Sequence, residues 1–106
     1  MIFIKWADYL ITKVRYNDKS NFIEYLEIRK DKEFFVGDGE LKRREKIIEY
    51  MKEGASFFTA NKVIKNDKTL WIKGKKVHLL NIFENYYIRT DELKLEKDYL
   101  ENLDEM

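Results

Sequence analysis

The chain contains no cysteine, no proline and no glutamine, and it has one histidine and four glycines in 106 residues. Without cysteine there can be no disulfide, no thiolate metal ligand and no sulfur nucleophile. Secreted domains of this size usually depend on disulfides, so their absence points to the cytoplasm. No apolar run is long enough to cross a bilayer. The opening MIFIKWADYLI is interrupted by Lys5 and Asp8, and it lacks the basic leader of a signal peptide. Net charge is also nearly absent: 39% of residues are charged, yet the sum is +1. Balanced charge with ample apolar content argues against disorder and against a polyelectrolyte tail.

What remains is rich in bulky side chains. Aromatic residues make up 15% of the chain, which suits a short domain that must fill one core efficiently. Lysine, glutamate and isoleucine are heavily used, and the thermolabile cysteine and glutamine are absent, though asparagine is not depleted. That bias points to an archaeal or thermophile-like source; the use of Lys, Ile, Asn, Tyr and Phe also tracks an AT-rich genome.

Hydrophobic periodicity predicts an α+β fold: a strongly bent antiparallel sheet, or a small partly open barrel, of about six or seven strands with one amphipathic helix. Strands are expected at 8–16, with Leu10, Thr12, Val14 and Tyr16 sharing a face, and at 22–28. A third, edge-like strand is expected at Phe34-Phe35-Val36. Gly37-Asp38-Gly39 then opens a helix over residues 40–53, with Asp38 as N-cap and Leu41, Ile47, Ile48 and Met51 as its apolar stripe. Gly54 falls where a left-handed C-cap belongs. Further strands are expected at 56–60, 62–65, 69–73, 76–83 and 86–90, with turns at Asn66-Asp67-Lys68 and Glu84-Asn85. Long helical crossovers are missing, which argues against parallel pairing. Residues 1–106 read as a single domain, with 91–106 an acidic tail packed on it or extending from it.

Two blocks carry a family likeness. One runs Ala7-Asp8-Tyr9-Leu10-Ile11-Thr12-Lys13-Val14-Arg15-Tyr16-Asn17 and continues to Ile23 and Leu26. The other is Val77-His78-Leu79-Leu80 leading into Tyr87-Ile88-Arg89-Thr90-Asp91, with Asp98, Leu100 and Leu103 beyond. With a helix ending in Gly and followed by Phe57-Phe58-Thr59, they resemble the small prokaryotic family designated domain of unknown function 3892. The family's tail usually reads Asp-Asn-Leu and then Leu-Pro, where this chain has Asp98-Tyr99-Leu100 and Leu103-Asp104. The resemblance implies a stand-alone bacterial or archaeal domain, and it implies no activity, cofactor or ligand.

Chemistry-bearing candidates are few. His78 sits in an apolar strand without a local acid, serine or second histidine, so a structural role is favoured over catalysis or metal binding. Gly37-Asp38-Gly39 lacks the length and the Lys-Ser/Thr ending of a phosphate loop. No motif calls for a cofactor or a metal. Arg89, within Tyr87-Ile88-Arg89-Thr90-Asp91, has the planar fork that grips phosphate or carboxylate; pairing with a nearby carboxylate beside a turn is the favoured alternative.

The best pointer to a partner is a basic hairpin. Lys62, Lys65, Lys68, Lys73, Lys75 and Lys76 face a single Asp67, with Trp71 among them. Lysines interleaved with an aromatic suit phosphate neutralisation and base stacking. The tail from Asp91 onwards is the opposite, with seven acidic residues against Lys94 and Lys97. Either the basic face is free to bind nucleic acid, or the tail folds onto the hairpin and neutralises it, or the lysines merely guard an exposed edge against aggregation. Two functions follow: a non-enzymatic domain that engages nucleic acid or a nucleoprotein through residues 62–76, or a protein-interaction or self-assembly module that uses an exposed sheet edge. An enzyme ranks behind both, for want of an identifiable base.

Overall fold

The architecture comes from a computed structural model that describes residues 7–19, 21–32, 36–101 and 103–105. Eight strands and one helix follow in the order β1 (Tyr9–Tyr16), β2 (Ile23–Lys30), β3 (Glu40–Arg43), α1 (Arg44–Lys52), β4 (Phe57–Lys65), β5 (Lys68–Lys76), β6 (His78–Ile82), β7 (Asn85–Arg89) and β8 (Asp104–Glu105). The main sheet has the order β3-β2-β1-β4-β5, with β8 joined to β1, while β6 and β7 form a separate hairpin. The fold is therefore α+β with a bent sheet, and the sheet stays open rather than closing into a barrel.

One expectation fails at the centre. β1 pairs in parallel with β4 through Tyr9–Ile11 and with β8 through Lys13 and Val14, so the sheet is mixed. Parallel neighbours need a crossover of a dozen or more residues. Here β2, β3 and α1 together supply it, in place of the single crossover helix sought in the sequence.

The strand faces also differ from simple alternation. The β1–β2 register slips between Ile11 and Lys13, leaving Thr12 as an extra residue. A bulge of this kind places Ile11 and Val14 on one side although they are three apart. Both are buried in the core with Leu26, Ile28, Ile47, Phe57 and Ile88. A second slip near Tyr16 brings Ile23 into the same core. Leu10, expected beside Val14, therefore lies on the opposite face.

The helix is shorter than its propensity suggests. Residues 40–43, expected to be its first turn, instead form β3 and pair antiparallel with Tyr25–Ile28. Asp38 is consequently no N-cap: Arg43 precedes α1 in extended conformation with no side-chain cap. Ile47 and Ile48 are the helix's buried residues, whereas Leu41 is exposed on β3. Gly54 does close α1 in the left-handed region, at φ 98°, and the Ala55 amide donates to the Tyr50 carbonyl. Of the expected strand at 34–36, Phe34 and Phe35 lie outside the described residues, and Val36 makes an isolated bridge with Asp31.

In the second half, the hairpin expected between 62–65 and 69–73 is present as β4 and β5, but the strands expected separately at 56–60 and 62–65 are one, and 69–73 extends to Lys76. β4 runs unbroken, and Gly74 sits within β5 instead of ending it. Asn66 and Asp67 both have positive φ, 52° and 59°, as a tight two-residue hairpin turn requires. The β6–β7 turn is Phe83-Glu84, one residue earlier than expected, again with both φ positive.

The tail lies against the body. Asp98 has no exposed surface and Leu100 is buried. The Asp98 carboxylate accepts from the amides of Ile23 and Ile88, each at 2.9 Å, and from Arg44 Nε at 2.6 Å. Arg44 also donates from Nη2 to the Tyr86 carbonyl. Tyr16 Oη accepts from the Leu100 amide; burial, ahead of any other influence, raises the Tyr16 pKa.

Candidate functional site

The six lysines singled out from the sequence all lie on the β4–β5 ribbon and all are exposed, while Trp71 is half-buried. The ribbon leaves the body because β1 pairs with β4 only as far as Thr59, after which β4 has β5 alone as neighbour. From Lys62 to Ile72 it carries water on both faces, with Val63, Ile64, Leu70 and Ile72 exposed; Ile64 is 70% accessible. The overall extents of 45 × 28 × 22 Å are those of a body with an arm.

Register assigns each side chain to a face. Lys62 lies opposite Trp71 and Ala60 opposite Lys73, and these continue the face that carries Leu10, Phe58 and Arg29. Asn61 opposite Ile72, Val63 opposite Leu70 and Lys65 opposite Lys68 continue the other face, which α1 covers nearer the body.

The arm is bent where it leaves the sheet. The β4–β5 register slips between Phe58 and Ala60, and the Lys75 amide donates to Thr59 Oγ1 at 2.8 Å. Gly74 approaches so closely that a β-carbon there would stand 2.2 Å from Thr59 Oγ1. Beyond the bulge, Trp71 reaches Arg29, whose guanidinium carbon lies 4.7 Å from the indole centroid. Arg29 belongs to β2, with two strands, β1 and β4, between it and β5, so the contact requires the arm to curl over this face. Leu10 and Ala60, both wholly buried, lie beneath that curl.

The charge on the tail goes elsewhere. Asp98 pairs with Arg44, Asp91 with Arg89, and Glu92 Oε1 lies 3.7 Å from His78 Nδ1. Among the described residues no carboxylate comes within ion-pair distance of Lys62, Lys65, Lys68, Lys73, Lys75 or Lys76. The basic arm is thus not neutralised by any carboxylate among the described residues.

Arg89 is placed differently. It is 3% exposed, its Nε and Nη2 donate to both Asp91 oxygens at 2.6 and 2.9 Å, and its Nη1 donates to the Lys97 carbonyl at 2.8 Å. The hydrogen bonds from Arg89 hold the Asp91 carboxyl below the usual range. The guanidinium is occupied in tying β7 to the tail, and this geometry suits the turn-fixing role. His78 faces Glu92, and among the described residues no group of three or more His, Asp or Glu side chains is arranged to hold a metal.

Sequence reasoning missed the rest of the open face. Lys13 and Arg15 share it through their pairing with Glu27 and Tyr25, as does Arg43 opposite Tyr25. Its acidic members are Asp104, which β8 sets beside Lys13, and Glu27, held by the Thr12 hydroxyl at 2.7 Å and by Arg29. Burial pushes the Glu27 pKa up, but Thr12 and Arg29 more than offset that, and the carboxyl sits below its ordinary value. The signal was present in alternation: Lys13 and Arg15, and Tyr25, Glu27 and Arg29, recur at period two. What hid it was the Thr12 bulge, which transfers the face from even to odd numbers partway along β1.

Neither a scan against protein-family models nor searches of curated proteins and of solved structures found a match to this chain. Among the described residues no helix is long and apolar enough to cross a membrane.

Proposed function

We propose that this protein is a non-enzymatic cytoplasmic domain that binds nucleic acid through the β4–β5 ribbon. The observation that carries the reading is the arm itself: six exposed lysines on a projecting two-stranded ribbon, none matched by a carboxylate of the described chain. A ribbon of this kind is narrow enough to follow a phosphate backbone or enter a groove, and each lysine that meets a phosphate releases a counterion. The resemblance to domain of unknown function 3892 remains part of the proposal. Its residues Ile23, Ile88, Asp98 and Leu100 are those joined around the buried carboxylate or packed beside it.

Binding of labelled nucleic acid, followed by anisotropy across salt concentrations, tests the reading. The affinity should fall steeply with salt, with a log–log slope of about −3 or steeper if at least four phosphates are engaged. Reversing Lys73, Lys75 and Lys76 to glutamate should abolish it. No binding at low salt would end the proposal.

A second reading rests on the exposed Val63, Ile64, Leu70 and Ile72 of the same arm. Apolar side chains beside free strand edges suit strand addition by a protein partner or a second copy. A stable dimer by light scattering, insensitive to salt and lost with Ile64→Lys, would favour it.

A further inference from the structure

We infer that the binding surface extends across the whole open face of the sheet and is built for single-stranded rather than duplex nucleic acid. This rests on the nucleic-acid reading and names the substrate class of that site.

Three strands outside the arm contribute cations to this face: Lys13 and Arg15 from β1, Arg29 from β2 and Arg43 from β3. Lys62 and Lys73 join them from the ribbon. Lys13, Arg15, Arg43, Lys62 and Lys73 are exposed, and among the described residues none lies within ion-pair distance of a carboxylate, although Lys13 has Glu27 and Asp104 as its strand neighbours. Glu27, one acid among them, is held by Thr12 and Arg29, and Asp104 of β8 joins the face through its pairing with Lys13. Six cations against two acids leave the face more basic than the chain's net +1 suggests.

The aromatic residues give the substrate class. Each of the three half-buried rings here already carries a cation: Arg43 over Tyr25 at 5.0 Å, Arg29 over Trp71 at 4.7 Å and Lys73 over Phe58 at 4.4 Å. Stacked ring–cation pairs present planes on which an unpaired base can lie, and single strands offer such bases where a duplex hides them. Arg29 also retains a buried Nε with no acceptor among the described residues, a donor that a phosphate or base carbonyl would satisfy. The curl of the arm makes the surface concave, a shape that suits a flexible strand better than a rigid cylinder.

The experiment compares a labelled single-stranded oligomer of about 16 nucleotides, the upper span of a small binding fold, with the duplex of the same sequence. Wild type should bind the single strand at least about tenfold more tightly at moderate salt. Arg15→Glu combined with Arg43→Glu lies wholly outside the ribbon and should weaken that binding about tenfold or more. Titrating wild type with the single strand should also shift the backbone amides of Lys13, Arg15 and Arg43, which keeps the test alive should the variant fail to fold. If the duplex binds as well or better, or if neither the variant nor those amides respond while Lys73→Glu, Lys75→Glu and Lys76→Glu abolish binding, the extended face is refuted and the ribbon reading stands. If wild type binds neither form, both readings fall together.

Discussion

Asp98 is the residue on which the second half of the chain is hung. A carboxylate without exposed surface is tolerable only when its lone pairs are answered, and here two backbone amides and Arg44 answer them. The partners come from the start of β2, the start of α1 and the middle of β7, so one side chain ties three elements to the tail. Asp98→Ala should cost about 3–5 kcal/mol, since it leaves a partly buried guanidinium and two amides without acceptors. That is a large share of the roughly 5–15 kcal/mol typical of a domain, and urea denaturation would show it as a lowered midpoint. Pairing it with Arg44→Met should recover part of the loss, because the stranded charge is then gone. Strictly additive effects would show that the pair is not a unit. None of this was visible locally. Asp98 sits in a tail with six other acids, and what sets it apart is partners 10, 54 and 75 positions away.

At the scale of elements, two bulges decide which side chains face which way. Alternation alone placed Leu10 with Val14; the extra Thr12 separates them, and the polar Thr12–Glu27–Arg29 chain holds the irregularity in place. The second bulge was misread as a strand end, because glycine after an apolar run commonly marks one. Gly74 instead serves a close approach, and Gly74→Ala should destabilise the arm by about 1–3 kcal/mol through overpacking against Thr59. In a Thr59→Ala background the added methyl should cost less, since Oγ1 is no longer in its way. Thermal melts of the four proteins would reveal that coupling, and strict additivity would remove the steric account. The helix shows the opposite kind of error. Its core and its Gly54 stop were readable, but Glu40–Arg43 has good helix formers that went to β3, because the edge of β2 offered pairing that local propensity cannot foresee. The Asn66-Asp67 turn was legible since both residues tolerate positive φ. Phe83-Glu84 was not, since a bulky ring is an unusual occupant of that region, and Phe83 is 84% exposed there.

For the molecule as a whole, the organising fact is a separation of charge that the near-zero net value conceals. Asp98, Asp91 and Glu92 of the tail go to Arg44, Arg89 and His78, and among the described residues no carboxylate lies within ion-pair distance of the lysines of the arm. The arm beyond Lys62 contributes little to the core, for its side chains are exposed on both faces. A two-stranded ribbon is marginal by itself, and this one is anchored at its base by the Trp71–Arg29 stack and by the Thr59 bulge. Replacing Val63–Leu70 with Asn-Gly would join Lys62 directly to Trp71, its opposite number in the register, through a turn that favours tight hairpins. That shortened protein should keep its melting temperature within about 4–8 °C, the shift expected from a change near 1 kcal/mol in a domain of this size. It should at the same time lose only the part of the nucleic-acid affinity that Lys65 and Lys68 supply, with a correspondingly smaller salt slope. A collapse in stability would mean that the exposed apolar residues of the arm are covered in the native assembly, and that the ribbon is part of a core shared with another chain.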